Sequence, residues 1–387
     1  MIGNPAEGEG AIMSSITTAS SEEDLATLRD SVRLFLESKS PIATVRELMA
    51  TDEGFDRNLW RQMAEQLGLQ GISLPEQFGG SGFGLIEQLV VFEELGRSLY
   101  CGPYFATVAL AAGLLLQCDD DAAKHDYLTR IASGDLFATV TLVESDQTWS
   151  FDGVATSAEH DGEQWRVSGV KPFVLDGAVA DLILVPAMTE HGLSLFAVEG
   201  SAAGVSKAPL DVLDATRKQA QLTFDAAPGR LIGTAGRAGD WLDALLVTAT
   251  ISLAGEQVGG AKRLLEIAVE YAKTREQFGR FIGSFQAIKH KCATLYLETE
   301  SAGAVARYAA WTVDEGVDDG RTAASMAKSY CSDVFTHAAA ENIQIHGGVG
   351  FTWDNDAHLF LRRAKTSEVF LGDAVFHRGI LADLLGI

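Results

Sequence analysis

The stretch WLDALLVTATISLAGEQVGGAKRLLEIAVEYAKTREQFG, from Trp241 to Gly279, constrains this chain more than any other. Its apolar residues recur at helical spacing, which predicts one long helix. Such a helix needs neighbours along its whole length to bury its apolar face. Its centre holds Ala254, Gly255, Gly259, Gly260 and Ala261. Glycine there costs up to about 1 kcal/mol relative to alanine, and small residues let other helices approach closely. Two more helical stretches follow, FQAIKHKCATLYLETESAGAVARYAAWTVDEG and RTAASMAKSYCSDVFTHAAAENIQIHG. A C-terminal four-helix bundle over 237–387 is the natural expectation.

The pattern upstream is different. FATVTLVES, QWRVSGVKPFVLD, DLILVPAM, LSLFAVEG and AQLTF are short, rich in β-branched and aromatic residues, and separated by Gly, Asp and Pro. They predict a β-domain over 134–236, a barrel or a sandwich. Residues 21–133 return to helical spacing. SEEDLATLRDSVRLFLES opens on a serine cap and an acidic first turn. FDRNLWRQMAEQLGL is expected to end near Gly71, before the glycine-rich loop PEQFGGSGFG. Residues 1–20 are small, polar and slightly acidic and read as a disordered leader. The fold class is therefore α+β and multi-domain: a helical N-terminal domain, a middle β-domain and a helical bundle.

Asp and Glu total 53 against 30 Lys and Arg, a net charge of -23. That excludes non-specific binding to nucleic acid or anionic membrane, which needs basic surface. Cys101, Cys118, Cys292 and Cys331 are scattered, with no metal-ligand spacing, as in a reducing compartment. No apolar run reaches the length of a membrane span. The expected location is the cytoplasm.

YAKTREQFGRFIGSFQAIKHKCATL (271–295) followed by ENIQIHGGVGFTWD (341–354) resembles the acyl-CoA dehydrogenase family. PEQFGGSGFG (75–84), SGD (133–135) and RRAK (362–365) extend the resemblance over nearly the whole chain from about residue 20. It implies a tetramer with FAD at dimer interfaces. In such enzymes a carboxylate removes the α-proton of an acyl thioester and the β-hydride passes to the flavin. An electron-transfer flavoprotein or similar acceptor is implied downstream. One subunit holds the flavin ring and substrate, and its neighbour reaches across to the pyrophosphate and adenosine.

The residues of the reaching half are present. Arg275, Gln277 and Phe278 match the family's RxxFG segment, and Gln344, Gly347 and Gly348 match its QxxGGxG segment. A guanidinium suits a doubly negative pyrophosphate, and glycines let backbone N–H groups approach phosphate or ribose oxygens. The residues of the flavin and substrate half have gone. The polar TEPxxGSD-like loop is shortened to TLVESDQTWS. Phe173, Val174 and Leu175 replace a Trp-Ile-Thr stretch, and Val247 and Thr250 replace the Asp and Arg that fasten substrate. The two seats where family members carry the catalytic Glu hold Leu371 and Ala249, so no catalytic residue is assigned.

Losses confined to one half-site point to a subunit that lends its half to a catalytic sister. The chain resembles the non-catalytic partner of bacterial α2β2 acyl-CoA dehydrogenases, found notably in breakdown of steroid side chains as CoA thioesters. Two alternatives remain open. One is a homomeric dehydrogenase with a displaced base such as Glu368; Glu368, Asp373 and Glu256 are each otherwise read as solvated or ion-paired residues. The other is a structural or binding protein that has lost FAD. A flavin monooxygenase or oxidase is disfavoured by the lost flavin contacts. His346 and His377 invite attention, and for His346 a packing or surface role is expected.

Overall fold

A computed structural model describes residues 20–144, 149–151, 153–317 and 320–387. Apart from Ser20, the expected leader lies outside the described residues.

The N-terminal part is helical. Helix α1 (Glu22–Lys39) is capped by Ser21, whose Oγ accepts from the Asp24 N–H while the Asp24 carboxylate accepts from the Ser21 N–H. A short α2 (Ile42–Leu48) follows. Helix α3 (Arg57–Leu67) is capped by Asp56 and ends at Gly68, whose φ of 61° is a left-handed cap. It stops earlier than Gly71, because Leu69–Gly71 tighten into a 3-10 turn. Helix α4 is Leu85–Arg97. Phe105–Ala112 wind as a π-helix that continues into α5 (Gly113–Gln117), and α6 is Asp121–Ala132.

Seven strands follow: β1 (Ala138–Val140), β2 (Ser157–His160), β3 (Trp165–Leu175), β4 (Leu182–Thr189), β5 (Gly192–Glu199), β6 (Val205–Pro209) and β7 (Gln219–Ile232). Strand β4 pairs with both β2 and β5, and the circuit β4-β2-β3-β7-β5 closes into a barrel. Strand β1 adds parallel to β4, and β6 adds to β7. The alternation along β4 shows why LILV, from Leu182 to Val185, carries no polar position. Ile183 and Val185 fill the barrel core, while Leu182 and Leu184 join the core shared with the N-terminal helices.

Helix α7 (Ala238–Thr274) is the expected long helix. A hairpin of β8 (Glu276–Gln277) and β9 (Arg280–Phe281) leads to α8 (Gln286–Asp314), α9 (Arg321–His346), α10 (Ala357–Val369) and α11 (Ala374–Leu385). The C-terminal part is thus three long helices with two short ones packed on α9. The small residues of α7 sit at its crossings. A Cβ on Gly259 would lie 1.7 Å from the Glu93 carbonyl oxygen of α4, and one on Gly260 would lie 2.5 Å from the Phe335 ring of α9. Among the described residues no helix is long and apolar enough to cross a membrane.

Candidate functional site

The reaching half is an exposed corner built from two segments. Helix α7 ends at Arg275, whose N–H still donates to the Tyr271 carbonyl at 2.8 Å. The chain then turns back through Phe278 and Gly279, both at positive φ (54° and 75°). A two-residue hairpin turn requires that geometry, which an aromatic residue adopts at a cost of roughly 1–2 kcal/mol. Phe278 stands 92% exposed at the tip, and Arg275 and Gln277 are exposed beside it.

The second segment is the end of α9. Gln344 is exposed, and Gly347 leaves the helix at φ 62°, ψ -143°, a backbone state favouring glycine. Open space surrounds Gly347 and Gly348 where a Cβ would stand. Packing within this chain therefore does not explain a glycine at 348, whereas close approach by a ligand would. The two segments are joined by a ring stack: Tyr271 lies on His346 at 4.0 Å between centroids, with an interplanar angle of 22°. His346 Nδ1–H donates to the Asn342 carbonyl at 2.8 Å, so this histidine is a packing piece. The structure thus brings the ends carrying Arg275, Gln277, Phe278 and Gln344, Gly347, Gly348 to one corner. An exposed guanidinium beside an open glycine-lined backbone fits a diphosphate-bearing group such as FAD.

In the other half, apolar side chains fill the seats where family members carry the catalytic Glu. Leu371 is 2% exposed and Ala249 is fully buried, and both belong to the core shared with the N-terminal helices. Phe370 packs edge-on against Phe105 at 5.5 Å and Trp149 at 5.8 Å. Leu175 is buried, its carbonyl accepting from Thr139 Oγ1 at 2.7 Å, while Phe173 is half-exposed at φ 55° on a bulge of β3. Of the shortened loop, residues 145–148 lie outside the described residues. Glu144 turns inward to pair with the buried Lys171, which commits this carboxylate of the loop to an internal ion pair.

The candidate bases are also engaged elsewhere. Glu368 pairs with Lys365 at 2.7 Å, Asp373 caps α11 through the Phe376 N–H at 2.8 Å, and Glu256 pairs with Arg217 and with Arg363 at 3.3 Å. His377 is closest to the empty seat. Its Nε2–H donates to the Leu371 carbonyl at 2.9 Å, so Nδ1 is the acceptor, facing Ser325 Oγ at 3.2 Å. Burial pushes its imidazole down to about 4. Both nitrogens are committed, and the side chain holds the turn. Sequence reasoning flagged His377 without a role, and Ser325 gave no signal at all.

A cavity of about 600 Å³ does remain beside this half, lined by Val247, Thr250, Leu371, Phe376, His377 and Trp149. It is open to solvent, it has no carboxylate at Leu371, and the charged residues in its lining are Asp243 and Arg321. General-base abstraction of a weakly acidic C–H needs a base within hydrogen-bond reach of the proton, and at this seat Leu371 supplies none.

The acyl-CoA dehydrogenase N-terminal domain model matches residues 22–135, and the C-terminal domain model of the same family matches 243–386. This chain belongs to the acyl-CoA dehydrogenase family. It is 34% identical over 349 residues to the acyl-CoA dehydrogenase IpdE2 of Mycobacterium tuberculosis, covering 90% of this chain and 93% of that protein. Among solved structures it is similar to a chain of the ChsE4-ChsE5 complex from Mycobacterium tuberculosis, with a TM-score of 0.85 at 30% identity over 95% and 98% of the two chains. It is also similar to a chain of the steroid ACAD Tcur3481-Tcur3483, with a TM-score of 0.84 at 31% identity over 94% and 98%.

Proposed function

We propose that this acyl-CoA dehydrogenase chain is the non-catalytic subunit of a heteromer, and that it lends the pyrophosphate and adenosine side of an interfacial FAD site to a catalytic sister. The observation that carries the reading is the contrast between its two half-sites. The base seats, Leu371 and Ala249, are buried in apolar core, whereas Arg275, Gln277, Phe278, Gln344, Gly347 and Gly348 converge on an exposed corner. The corner suits burial against a partner: Phe278, Phe351 and Trp353 stand exposed on its two segments and the connection that follows.

In this reading Arg275 neutralises the diphosphate, Gln277 and Gln344 offer amide hydrogen bonds, and Gly347 and Gly348 let the backbone come close. FAD held by these residues would supply a hydride acceptor, with an electron-transfer flavoprotein or similar protein downstream. The sister supplies the glutamate and most of the acyl-CoA site, and the assembly is α2β2 in the cytoplasm. The named complexes among the similar structures support a heteromer, and the steroid ACAD among them supports a steroid side-chain or other lipid CoA ester as substrate.

The test is expression alone and together with a sister carrying Glu at a base seat. The chain alone is expected to be colourless, and the complex yellow, active and loaded with two FAD per tetramer. A homotetramer with four FAD and full turnover would falsify the proposal. Loss of that turnover in Glu368→Gln would then place the base at Glu368. A complex devoid of flavin absorbance would instead favour a purely structural chain.

A further inference from the structure

The three parts of the fold meet around a small cavity of about 20 Å³. Tyr100 lines it from the segment after α4, Asp176 and Arg217 from the β-domain, and Glu256 and Arg363 from α7 and α10. All five are buried. Most polar atoms here are satisfied. Arg363 Nε donates to Asp214 at 2.8 Å, its Nη1 to Glu256 at 3.3 Å and its Nη2 to Thr216 Oγ1 at 2.6 Å. Arg217 Nη2 donates to Glu256. Two donors are left over. Among the described residues, Tyr100 Oη and Arg217 Nη1 have no hydrogen-bond partner. Asp176 faces the same space, and burial and the charges of Arg217 and Arg363, with no hydrogen bond, set the state of its carboxyl.

Buried polar groups are rarely left unpaired, because the desolvation cost is then uncompensated. A space of this size admits one water molecule, which needs roughly 10–15 Å³ and two to four polar partners. We propose that the junction holds one internal water, accepting hydrogen bonds from Tyr100 Oη and Arg217 Nη1 and donating one to the Asp176 carboxyl. The two leftover donors then have an acceptor, and Asp176 gains a donor. A halide would satisfy the donors but would face Asp176. The positive charges of Arg217 and Arg363 are already balanced by Glu256 and Asp214, so no surplus charge remains to hold an anion. The water links the N-terminal part to the β-domain beside the α7 and α10 ion pairs. This inference does not depend on the proposed subunit role.

The test is a crystal structure of the full chain, in whichever assembly it crystallises, at a resolution that shows ordered solvent and with a parallel bromide soak. The expected result is a spherical peak within hydrogen-bond distance of Tyr100 Oη, Arg217 Nη1 and Asp176, without anomalous signal. A bromide signal there, or an empty cavity, overturns the proposal. Tyr100→Phe removes one of the three partners and should lower the peak's occupancy about twofold or more. A peak unchanged in that variant also overturns it, while the wild-type maps decide the matter should the variant not fold.

Discussion

Leu371 has a φ of 59°, a conformation that costs a leucine roughly 1–2 kcal/mol. Two side chains hold it there. His377 Nε2–H donates to the Leu371 carbonyl, and Lys328 Nζ donates to the carbonyls of Glu368 at 3.0 Å and Gly372 at 2.8 Å. The turn is therefore firmly held yet presents only a hydrocarbon to its surroundings. Leu371→Glu would put a carboxylate in place of a leucine that packs in the core and borders the cavity, where an unpaired charge costs up to several kcal/mol. The expected outcome is a melting temperature lower by roughly 5 °C or more, with no dehydrogenase turnover gained by the chain alone. Turnover in that variant would show that the rest of the site had survived. Arg275 gives the opposite profile. Because it is exposed, Arg275→Ala should leave the melting curve of the chain unchanged. In the complex the variant removes charge-assisted hydrogen bonds and should weaken FAD binding by about 10- to 100-fold, read by titrating FAD into the flavin-free complex.

At the scale of elements, α7 decides whether the parts assemble. Its crossings with α4 and α9 leave no room for a methyl group, and the atom facing Gly259 is backbone. Gly259→Ala should therefore destabilise by about 1–3 kcal/mol despite alanine's better helix propensity, measured as a shift in the urea midpoint. A neutral or stabilising effect would mean that α4 is free to move. This crossing was legible in the sequence, because helical period and small residues are local signals. So were the serine cap of α1 and the convergent segments around Arg275 and Gly347, whose residues match a family pattern. The barrel's closure was not legible: β4 pairs with strands on either side of it in sequence, and no local pattern encodes that order. The π-helical winding of Phe105–Ala112 was equally hidden, since an apolar run suits any buried helix. Glu256 read only as solvated or paired. That it meets Arg217 and Arg363 emerges only once β-domain and bundle are packed together.

The whole molecule is held at that junction, and its charge state makes stability depend on pH. Burial pushes the Asp176 carboxyl up to about 7, against the pull of Arg217 and Arg363. Its folded value is thus above that of the unfolded chain, near 3.9. A group shifted upward stabilises fully below its unfolded value, and the contribution is lost as pH rises toward the folded value. Through this group the folded state binds more protons than the unfolded state between about pH 4 and pH 7, so its contribution falls across that window and levels off above it, while His377, lowered to about 4, works in the opposite sense over much of the same range. From about pH 5 to pH 7.5 the loss attributable to this group is on the order of 2–3 kcal/mol. Lys328 works in the opposite sense and higher up. Burial lowers its amine to about 7, so its contribution grows from there toward the ordinary lysine range. Comparison with Asp176→Asn separates the two, since Lys328 is common to both proteins. His377 is likewise common to both, so between the two pH values the wild-type urea midpoint should fall relative to that of the variant. Equal slopes would mean that Asp176 keeps an ordinary carboxylate pKa in the folded chain.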